Sequence, residues 1–151
     1  MSTKKITHYY RMNSIRPIQA LSWGFGVLGF WGCFSYVDLA YVLPQIRWGY
    51  LIVHIREHWV ALYVHDQTLI VLETLGLNKG NMRFLCHELD DYHILVNKVQ
   101  VQSDLSEACG MYCILFVKWQ ISCICDFNQF LSLFSCHHLC ENDQLLYELL
   151  K

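Results

Sequence analysis

Residues 58 to 73 read HWVALYVHDQTLIVLE. Within this stretch, the apolar runs at 59–64 and 69–73 are rich in branched and aromatic side chains, which favour extended backbone. The runs are separated by the polar tetrapeptide 65–68. Two such runs joined by a short polar segment predict an antiparallel β-hairpin.

The register of this hairpin determines which side chains meet at its open end. With the loop centred on His65 and Asp66, three cross-strand pairs are expected. They are Val60 with Val71, Leu62 with Leu69, and His58 with Glu73. Directly opposed residues place their Cβ atoms about 5 Å apart on one face, so the imidazole of His58 and the carboxylate of Glu73 are expected to share a hydrogen bond. A slip of one residue would place them on opposite faces.

The flanking sequence supplies the other elements of an α+β fold. Further strands are predicted at 50–55 and 93–101, the latter leading to Gln102, and helices at 39–43, 82–90 and 109–120. The segment 109–120 is apolar nearly all round, which is typical of a helix buried in a core. With 151 residues, 54% of them hydrophobic, the chain is expected to form a single domain, 1–151. We predict a small central mixed sheet packed against the buried helix.

Cys109 lies where that buried helix is expected to begin. It follows Ser103, Asp104 and Ser106, polar residues of the kind that cap helices. In a first helical turn, unpaired backbone amides and the helix dipole stabilise a thiolate, and a neighbouring imidazolium stabilises it further. Cys109 is therefore the candidate nucleophile.

The other roles in nucleophilic catalysis have candidates of the right chemical type. A thiolate that attacks a carbonyl generates an oxyanion, which the backbone amides of Cys109 and Gly110 and the side-chain amide of Gln102 are suited to stabilise. Gly110, which has no side chain, also permits a substrate to approach Cys109 closely. His58 is the candidate base that takes the thiol proton and returns it to the leaving amine, while Glu73 fixes the imidazole tautomer and stabilises its cation.

Three motifs resemble the adenovirus protease family, the adenains. They are His58-Trp59 at the start of a strand, Leu72-Glu73-Thr74-Leu75-Gly76, and VQSDLSEACGMYC at residues 101–113. The last motif is the most specific, because it combines Gln102, six intervening residues, Cys109-Gly110 and a second cysteine, Cys113. Weaker similarity at 30–32 and 142–147 extends the resemblance over most of the chain.

The resemblance implies a papain-like, adenain-type fold and a viral cysteine endopeptidase that cleaves precursor proteins at glycine-containing sites during virion maturation. Cys109, His58, Glu73 and Gln102 match the family's nucleophile, base, orienting carboxylate and oxyanion donor. Trp59 matches the aromatic residue that follows the base, in a position to support the base and the substrate. The implied location is the virion and the nucleus or cytoplasm of a host cell.

Secretion is not expected, because the opening residues MSTKK do not resemble a signal peptide. The eight cysteines are accordingly expected to be reduced thiols.

The sequence departs from the family at its activators. Adenovirus enzymes are helped by DNA and by a short peptide joined through a disulfide, whereas the chemistry itself requires no cofactor. This chain has a formal net charge of −2, with a local basic bias only at Lys4, Lys5, Arg11 and Arg16. The matching stretch near Asp91 lacks a cysteine, and Cys86 is the nearest. Peptide and DNA activation therefore both stay open.

Two other function classes also stay open. Ubiquitin-like-protein peptidases and acyltransferases use the same arrangement, but the peptidases normally carry Asp where this chain has Glu73, which favours the viral class. The third class is a non-enzymatic membrane or metal-binding protein. Residues 17–37 carry no charge and are long enough to cross a bilayer, although four glycines favour a buried loop and a short strand.

Further cysteines and histidines suggest rival sites. The segments 123–125 and 136–140 contain ligand types that zinc prefers, but without the usual paired spacing, so no metal site is assigned. The histidines that rival His58 as a base are interpreted as structural or solvated; they are His54, His65, His87 and His93.

Overall fold

The computed structural model describes residues 29–77, 82–83, 85 and 89–151. The basic N-terminal residues, most of the uncharged segment 17–37, Cys86 and His87 lie outside the described residues. Among the helices of the described part of the chain, none is long and apolar enough to cross a membrane.

A five-stranded mixed sheet forms the centre of the described fold, in the spatial order β1-β2-β3-β4-β5. The strands are β1 (Phe30–Ser35), β2 (Trp48–Ile55), β3 (His58–His65), β4 (Thr68–Leu72) and β5 (His93–Val96). The pairs β1-β2 and β4-β5 are parallel, while β2-β3 and β3-β4 are antiparallel. The predicted α+β class with a small mixed sheet is confirmed.

The helices of the described residues are α1 (Leu39–Val42), α2 (Cys109–Ile121), α3 (Phe127–Ser132) and α4 (Asn142–Leu150). Short 3-10 turns cover Tyr36–Asp38, Leu43–Gln45 and Leu139–Glu141. The predicted helices at 39–43 and 109–120 are confirmed within a few residues. Within the predicted helix 82–90, residues 82, 83 and 85 are helical, residues 89 and 90 are not, and the others lie outside the described part.

Both faces of the sheet are covered by apolar side chains. On one face, side chains of the central strands join α2, α3 and α4 in one cluster that includes Ile52, Trp59, Ala61, Leu72, Tyr112, Phe116, Phe130 and Leu146. On the other face, a second cluster includes Leu39, Leu43, Leu51, Val53, Leu62, Val71 and Leu85. Strands buried on both faces have continuous rather than alternating apolar sequence, as β2 and β3 do. The helix α2 is apolar nearly all round because it lies between the sheet and the C-terminal helices.

The hairpin of β3 and β4 exists, but its predicted register is wrong by two residues. Leu62 pairs with Val71, not Leu69, and the ladder ends in a two-residue turn after His65 pairs with Thr68. Asp66 occupies the first turn position with a φ of 52°, a left-handed conformation that aspartate tolerates better than most residues. The tighter turn shifts every pair by two positions.

The predicted strand at 93–101 is also wrong in its second half. β5 ends at Val96, and the chain leaves the sheet there. Its partner β4 ends at Leu72, so no further ladder is available. The side chain of Asn97 instead binds the backbone of the residue that follows β4.

Candidate active site

His58 and Glu73 lie side by side in the described fold. His58 opens β3 and Glu73 follows β4 directly. Continuing the observed ladder would place Glu73 opposite Val60, so His58 is its diagonal neighbour on the same face, within reach of two long side chains. The shift of two residues preserved the face, and Nε2 of His58 lies 2.5 Å from Oε1 of Glu73. The predicted contact therefore forms, although not as a directly opposed pair.

The carboxylate of Glu73 is fully buried, and His58 is 7% exposed. Oε1 of Glu73 also accepts a hydrogen bond from the backbone N–H of Leu75 at 3.1 Å. A buried carboxylate held by a backbone donor has little freedom to rotate, so it presents a fixed acceptor to the imidazole.

The side chain of Cys109 also interacts with His58, and this interaction helps to raise the pKa of the imidazole. Burial alone lowers the pKa of His58, but the hydrogen-bonding and electrostatic effects of Cys109 and Glu73 outweigh it and raise the pKa from 6.5 to about 9. The raised pKa favours the cationic form of the imidazole at neutral pH.

Cys109 is the first residue of α2, as predicted, and is 5% exposed. Its helix is not capped by a side chain: the N-cap is Ala108, whose carbonyl accepts from the N–H groups of Met111 and Tyr112. Of the polar residues expected to cap the helix, Ser106 instead binds the N-cap residue itself: its Oγ accepts from the N–H of Ala108 at 3.1 Å. The first amides of a helix have no intrahelical acceptor, so the N–H groups of Cys109 and Gly110 can bind an oxyanion.

Gln102 is buried close to this helix start. Its Nε2 donates to the carbonyl oxygen of Ser106 at 2.9 Å, and its Oε1 accepts from the hydroxyl of Thr74 at 2.5 Å. The backbone N–H of Gln102 also donates to the carbonyl of Thr74 at 3.0 Å. Gln102 is thus hydrogen-bonded both to Ser106, in the loop that leads into α2, and to Thr74, the residue after Glu73.

Sequence reasoning missed Asn97 as part of the site. Its Oδ1 accepts from the N–H of Glu73 at 2.8 Å, and its Nδ2 donates to the carbonyl of Glu73 at 2.6 Å and to that of Val99 at 2.9 Å. The sequence signal that could have identified it is a polar residue, Asn97, inside the segment 93–101 that we interpreted as a strand. Asn97 is 5% exposed, and a buried amide in such a place requires partners.

Trp59 and Cys113 lie in the core around the site. Trp59 is fully buried, and its ring centroid lies 4.7 Å from that of His54. It therefore stabilises the strand that begins with His58 from within the core and does not reach solvent. Burial, reinforced by the charges of Cys109 and Glu73, raises the pKa of the Cys113 thiol well above its ordinary value. Cys113 is therefore a protonated core thiol.

The rival histidines and cysteines occupy other places. His54 is buried in β2 against Trp59, while His65 and His93 are exposed at a strand end and a strand start. The exposed cysteines include Cys123, Cys136 and Cys140. Among the described residues, no three His, Cys, Asp or Glu side chains are grouped so that they could hold a metal ion.

No protein-family model matches the chain, and no curated protein matches it in sequence. Among solved structures, the fold is similar to that of "AvrA delL154 with IP6, CoA", with a TM-score of 0.55 and 14% identity over 79% of this chain and 52% of that chain. This chain thus spans about half the length of the AvrA structure.

Weaker similarities involve two further proteins. The central domain of the uncharacterized Lpg1148 protein from Legionella pneumophila matches with a TM-score of 0.46 and 11% identity over 79% of this chain and 78% of that chain. The SUMO protease Ulp1 with its catalytic cysteine oxidized to a sulfenic acid matches with a TM-score of 0.38 and 11% identity over 77% of this chain and 63% of that chain. The similarity to AvrA shows the fold alone, an α+β fold with a mixed sheet.

Proposed function

We propose that this protein is a cysteine endopeptidase in which Cys109 is the nucleophile, His58 the base and acid, Glu73 the orienting carboxylate and Gln102 an oxyanion donor. One observation carries the proposal. The imidazole of His58 is hydrogen-bonded to the carboxylate of Glu73 and at the same time interacts with the side chain of Cys109. This is the arrangement that a thiol nucleophile requires from its base and from the group that orients the base.

The proposed reaction begins with the thiolate of Cys109 attacking a peptide carbonyl carbon. A sulfur–carbon bond forms, and the π electrons move to oxygen, where the N–H groups of Cys109 and Gly110 and Nε2 of Gln102 stabilise the charge. The imidazolium of His58 donates a proton to the leaving amine as the carbon–nitrogen bond breaks. The products of this half-reaction are a thioester, a free amine and a neutral imidazole.

Water completes the cycle. Neutral His58 removes a proton from a water molecule, whose oxygen attacks the thioester carbonyl. The carbon–sulfur bond then breaks, releasing an acid and restoring the thiolate beside an imidazolium. The raised pKa of His58, about 9, favours the imidazolium of this pair. The chemistry uses protein side chains and water and requires no cofactor.

For the substrate, we propose viral precursor proteins cut at glycine-containing sites during virion maturation, in the virion and in the nucleus or cytoplasm of a host cell. The support for this finer assignment is the motif resemblance at residues 101–113 together with a glutamate at position 73. An activating peptide or DNA belongs to the same proposal.

A second candidate is a ubiquitin-like-protein peptidase or an acyltransferase that uses the same side chains. The similarity to AvrA favours it, because the AvrA structure contains CoA and IP6. A thioester on Cys109 serves either reaction, since the attacking nucleophile is water in hydrolysis and an amine or hydroxyl in acyl transfer.

The experiment compares three substrates with the purified protein. They are a fluorogenic peptide amide with two glycines before the scissile bond, a ubiquitin-like protein fused through its C-terminus to a reporter, and acetyl-CoA with a lysine- and serine-containing acceptor peptide. Cleavage of the glycine peptide supports the first candidate, and cleavage of the fusion or acetylation of the acceptor supports the second. Adding duplex DNA or a cysteine-containing peptide to each assay tests activation.

The controls separate the active thiol from the other cysteines. The Cys109→Ala protein should lose all turnover. The matched control is Cys123→Ala, which removes one exposed thiol outside the site and should retain turnover. Turnover by Cys109→Ala equal to that of the wild type would reject the proposed function.

A further inference from the structure

Thr74 connects the two halves of the site. It directly follows Glu73, which binds His58, and its hydroxyl binds Gln102. Thr74 is fully buried. Its carbonyl oxygen accepts from the N–H groups of Val101 at 2.9 Å and Gln102 at 3.0 Å, so the segment containing Gln102 is attached to Thr74 through backbone and side chain alike.

The partners of Gln102 define which end of its side-chain amide faces which neighbour. One end lies against the carbonyl oxygen of Ser106, which can only accept, so that end must be the Nε2 donor. The other end lies 2.5 Å from Oγ1 of Thr74, and Oε1 there accepts the hydroxyl proton. An amide turned the other way would place two oxygens in contact at Ser106. Two contacts, one with Ser106 and one with Thr74, therefore fix the orientation of the Gln102 amide.

From this geometry we propose that Thr74 is a positioning residue that holds the side-chain amide of Gln102 with its N–H groups towards Ser106, in the loop that leads to Cys109. The inference rests on the proposed function, because it assigns Thr74 a role through the oxyanion donor. An amide has two N–H groups, and one is used by Ser106. Nε2 also lies 3.4 Å from Oγ of Ser106, a long contact that a developing oxyanion can replace only while the amide keeps this orientation.

The energetic reason is preorganisation. A donor that is already oriented when charge develops on the substrate oxygen pays no cost of reorganisation during the reaction. Without the Thr74 hydroxyl, Oε1 loses its buried donor and the side chain gains rotamers. The expected loss is in kcat, because the oxyanion exists only in the transition state and intermediates, whereas KM should change little.

The test is a double-mutant cycle, measured with the substrate class that wild type cleaves. Gln102→Ala should lower kcat about 100-fold, and Thr74→Val should lower it about tenfold with KM nearly unchanged. Thr74→Ser restores the hydroxyl and should return kcat to within about threefold of wild type. In the Gln102→Ala background, Thr74→Val should cost less than about twofold more, because its target is gone.

A second readout separates this role from a structural one. Alkylation of Cys109 by iodoacetamide forms no oxyanion, so its rate should be the same in wild type and Thr74→Val. Thr74→Ala is measured in parallel, and if Thr74→Val does not fold, the cycle uses Thr74→Ala.

Three results bear against the inference. Equal kcat for wild type and Thr74→Val, additive losses in the double variant, or slower alkylation by Thr74→Val would each overturn it. A wild-type protein inactive on every substrate would instead refute the proposed function itself.

Discussion

The side-chain amide of Asn97 binds the backbone of Glu73 from both sides, accepting its N–H at 2.8 Å and donating to its carbonyl at 2.6 Å. In a continued parallel ladder, the N–H and the carbonyl of one residue bind two different residues of the neighbouring strand, whereas here one side chain supplies both partners. The amide thus replaces a strand at the point where the sheet ends. Glu73, whose carboxylate contacts His58, is held there by Asn97.

Asn97→Ala should destabilise the protein and disturb catalysis together. It leaves the buried N–H and carbonyl of Glu73 without partners, at a cost of about 2–4 kcal/mol in the free energy of unfolding. Chemical denaturation measures the loss, and kcat should fall because Glu73 is less well held. Asn142→Ala is the matched control: Asn142 is equally buried and binds Val101 and Ser135, but not Glu73. If Asn142→Ala lowers kcat as far as Asn97→Ala does, the assigned role of Asn97 is wrong.

Glu73→Gln should shift the pH dependence of activity. The carboxylate raises the pKa of His58, so its loss lowers that pKa from about 9. Activity requires the imidazolium, so the alkaline limb of kcat/KM should move to lower pH by about one unit or more. Gln keeps an acceptor at Oε1, and its NH₂ takes the place of Oε2, for which the described residues offer no hydrogen-bond partner. A profile of kcat/KM from acid to alkaline pH, with an unmoved limb as the contrary result, tests this expectation.

The raised pKa of His58 also predicts how stability depends on pH. A group whose pKa is higher in the folded state stabilises the fold fully below its unfolded value, 6.5, and loses that contribution as pH rises through about 9. The free energy of unfolding of wild type should therefore fall across this window by more than that of His58→Gln. The difference between the two proteins isolates His58 from other groups that ionise at high pH. Parallel curves for the two proteins would contradict the pKa shift.

The catalytic substitutions should follow an order set by role. Cys109→Ala should abolish turnover while the thermal unfolding transition stays cooperative. His58→Ala should lower kcat more than Glu73→Ala does, because His58 transfers protons while Glu73 orients it. Single-turnover rates on the same substrate give the comparison. A greater loss in Glu73→Ala, in protein shown to be folded, would mean that the roles are assigned wrongly.

Gly76→Ala should destabilise the turn that follows Glu73. Gly76 has a φ of 83°, and an added Cβ would lie 3.0 Å from the carbonyl oxygen of Lys98. The left-handed backbone alone costs a non-glycine residue about 1–2 kcal/mol, and the contact adds to it. Thermal unfolding should show a lower Tm, and the matched Gly32→Ala variant, which has a positive φ but only ordinary contacts, should lose less. An equal or smaller loss in Gly76→Ala would show that the loop moves away without cost.

Several features of the site could be predicted from local sequence. The start of α2 at Cys109 follows from polar residues before an apolar run, and the hairpin follows from two apolar runs around a polar turn. The contact of His58 with Glu73 was reached despite a wrong register, because a shift of two residues leaves a side chain on the same face of a strand. The buried character of α2 was equally visible, since its residues are apolar on every side.

The amino-acid sequence by itself determined the α+β class, the order of the site residues and the position of Cys109 at a helix start, because these depend on periodicity and on neighbours along the chain. Tertiary structure alone decided the two-residue turn at Asp66, the binding of Glu73 by Asn97 and the binding of Gln102 by Thr74. The contacts of Asn97 and Thr74 join segments 24 and 28 residues apart, and the turn at Asp66 is held by a bond from its N–H to the carbonyl of Arg47. Several of these partners are backbone groups that every residue carries. No pattern of side-chain types marks such a partner, so only the folded geometry selects it.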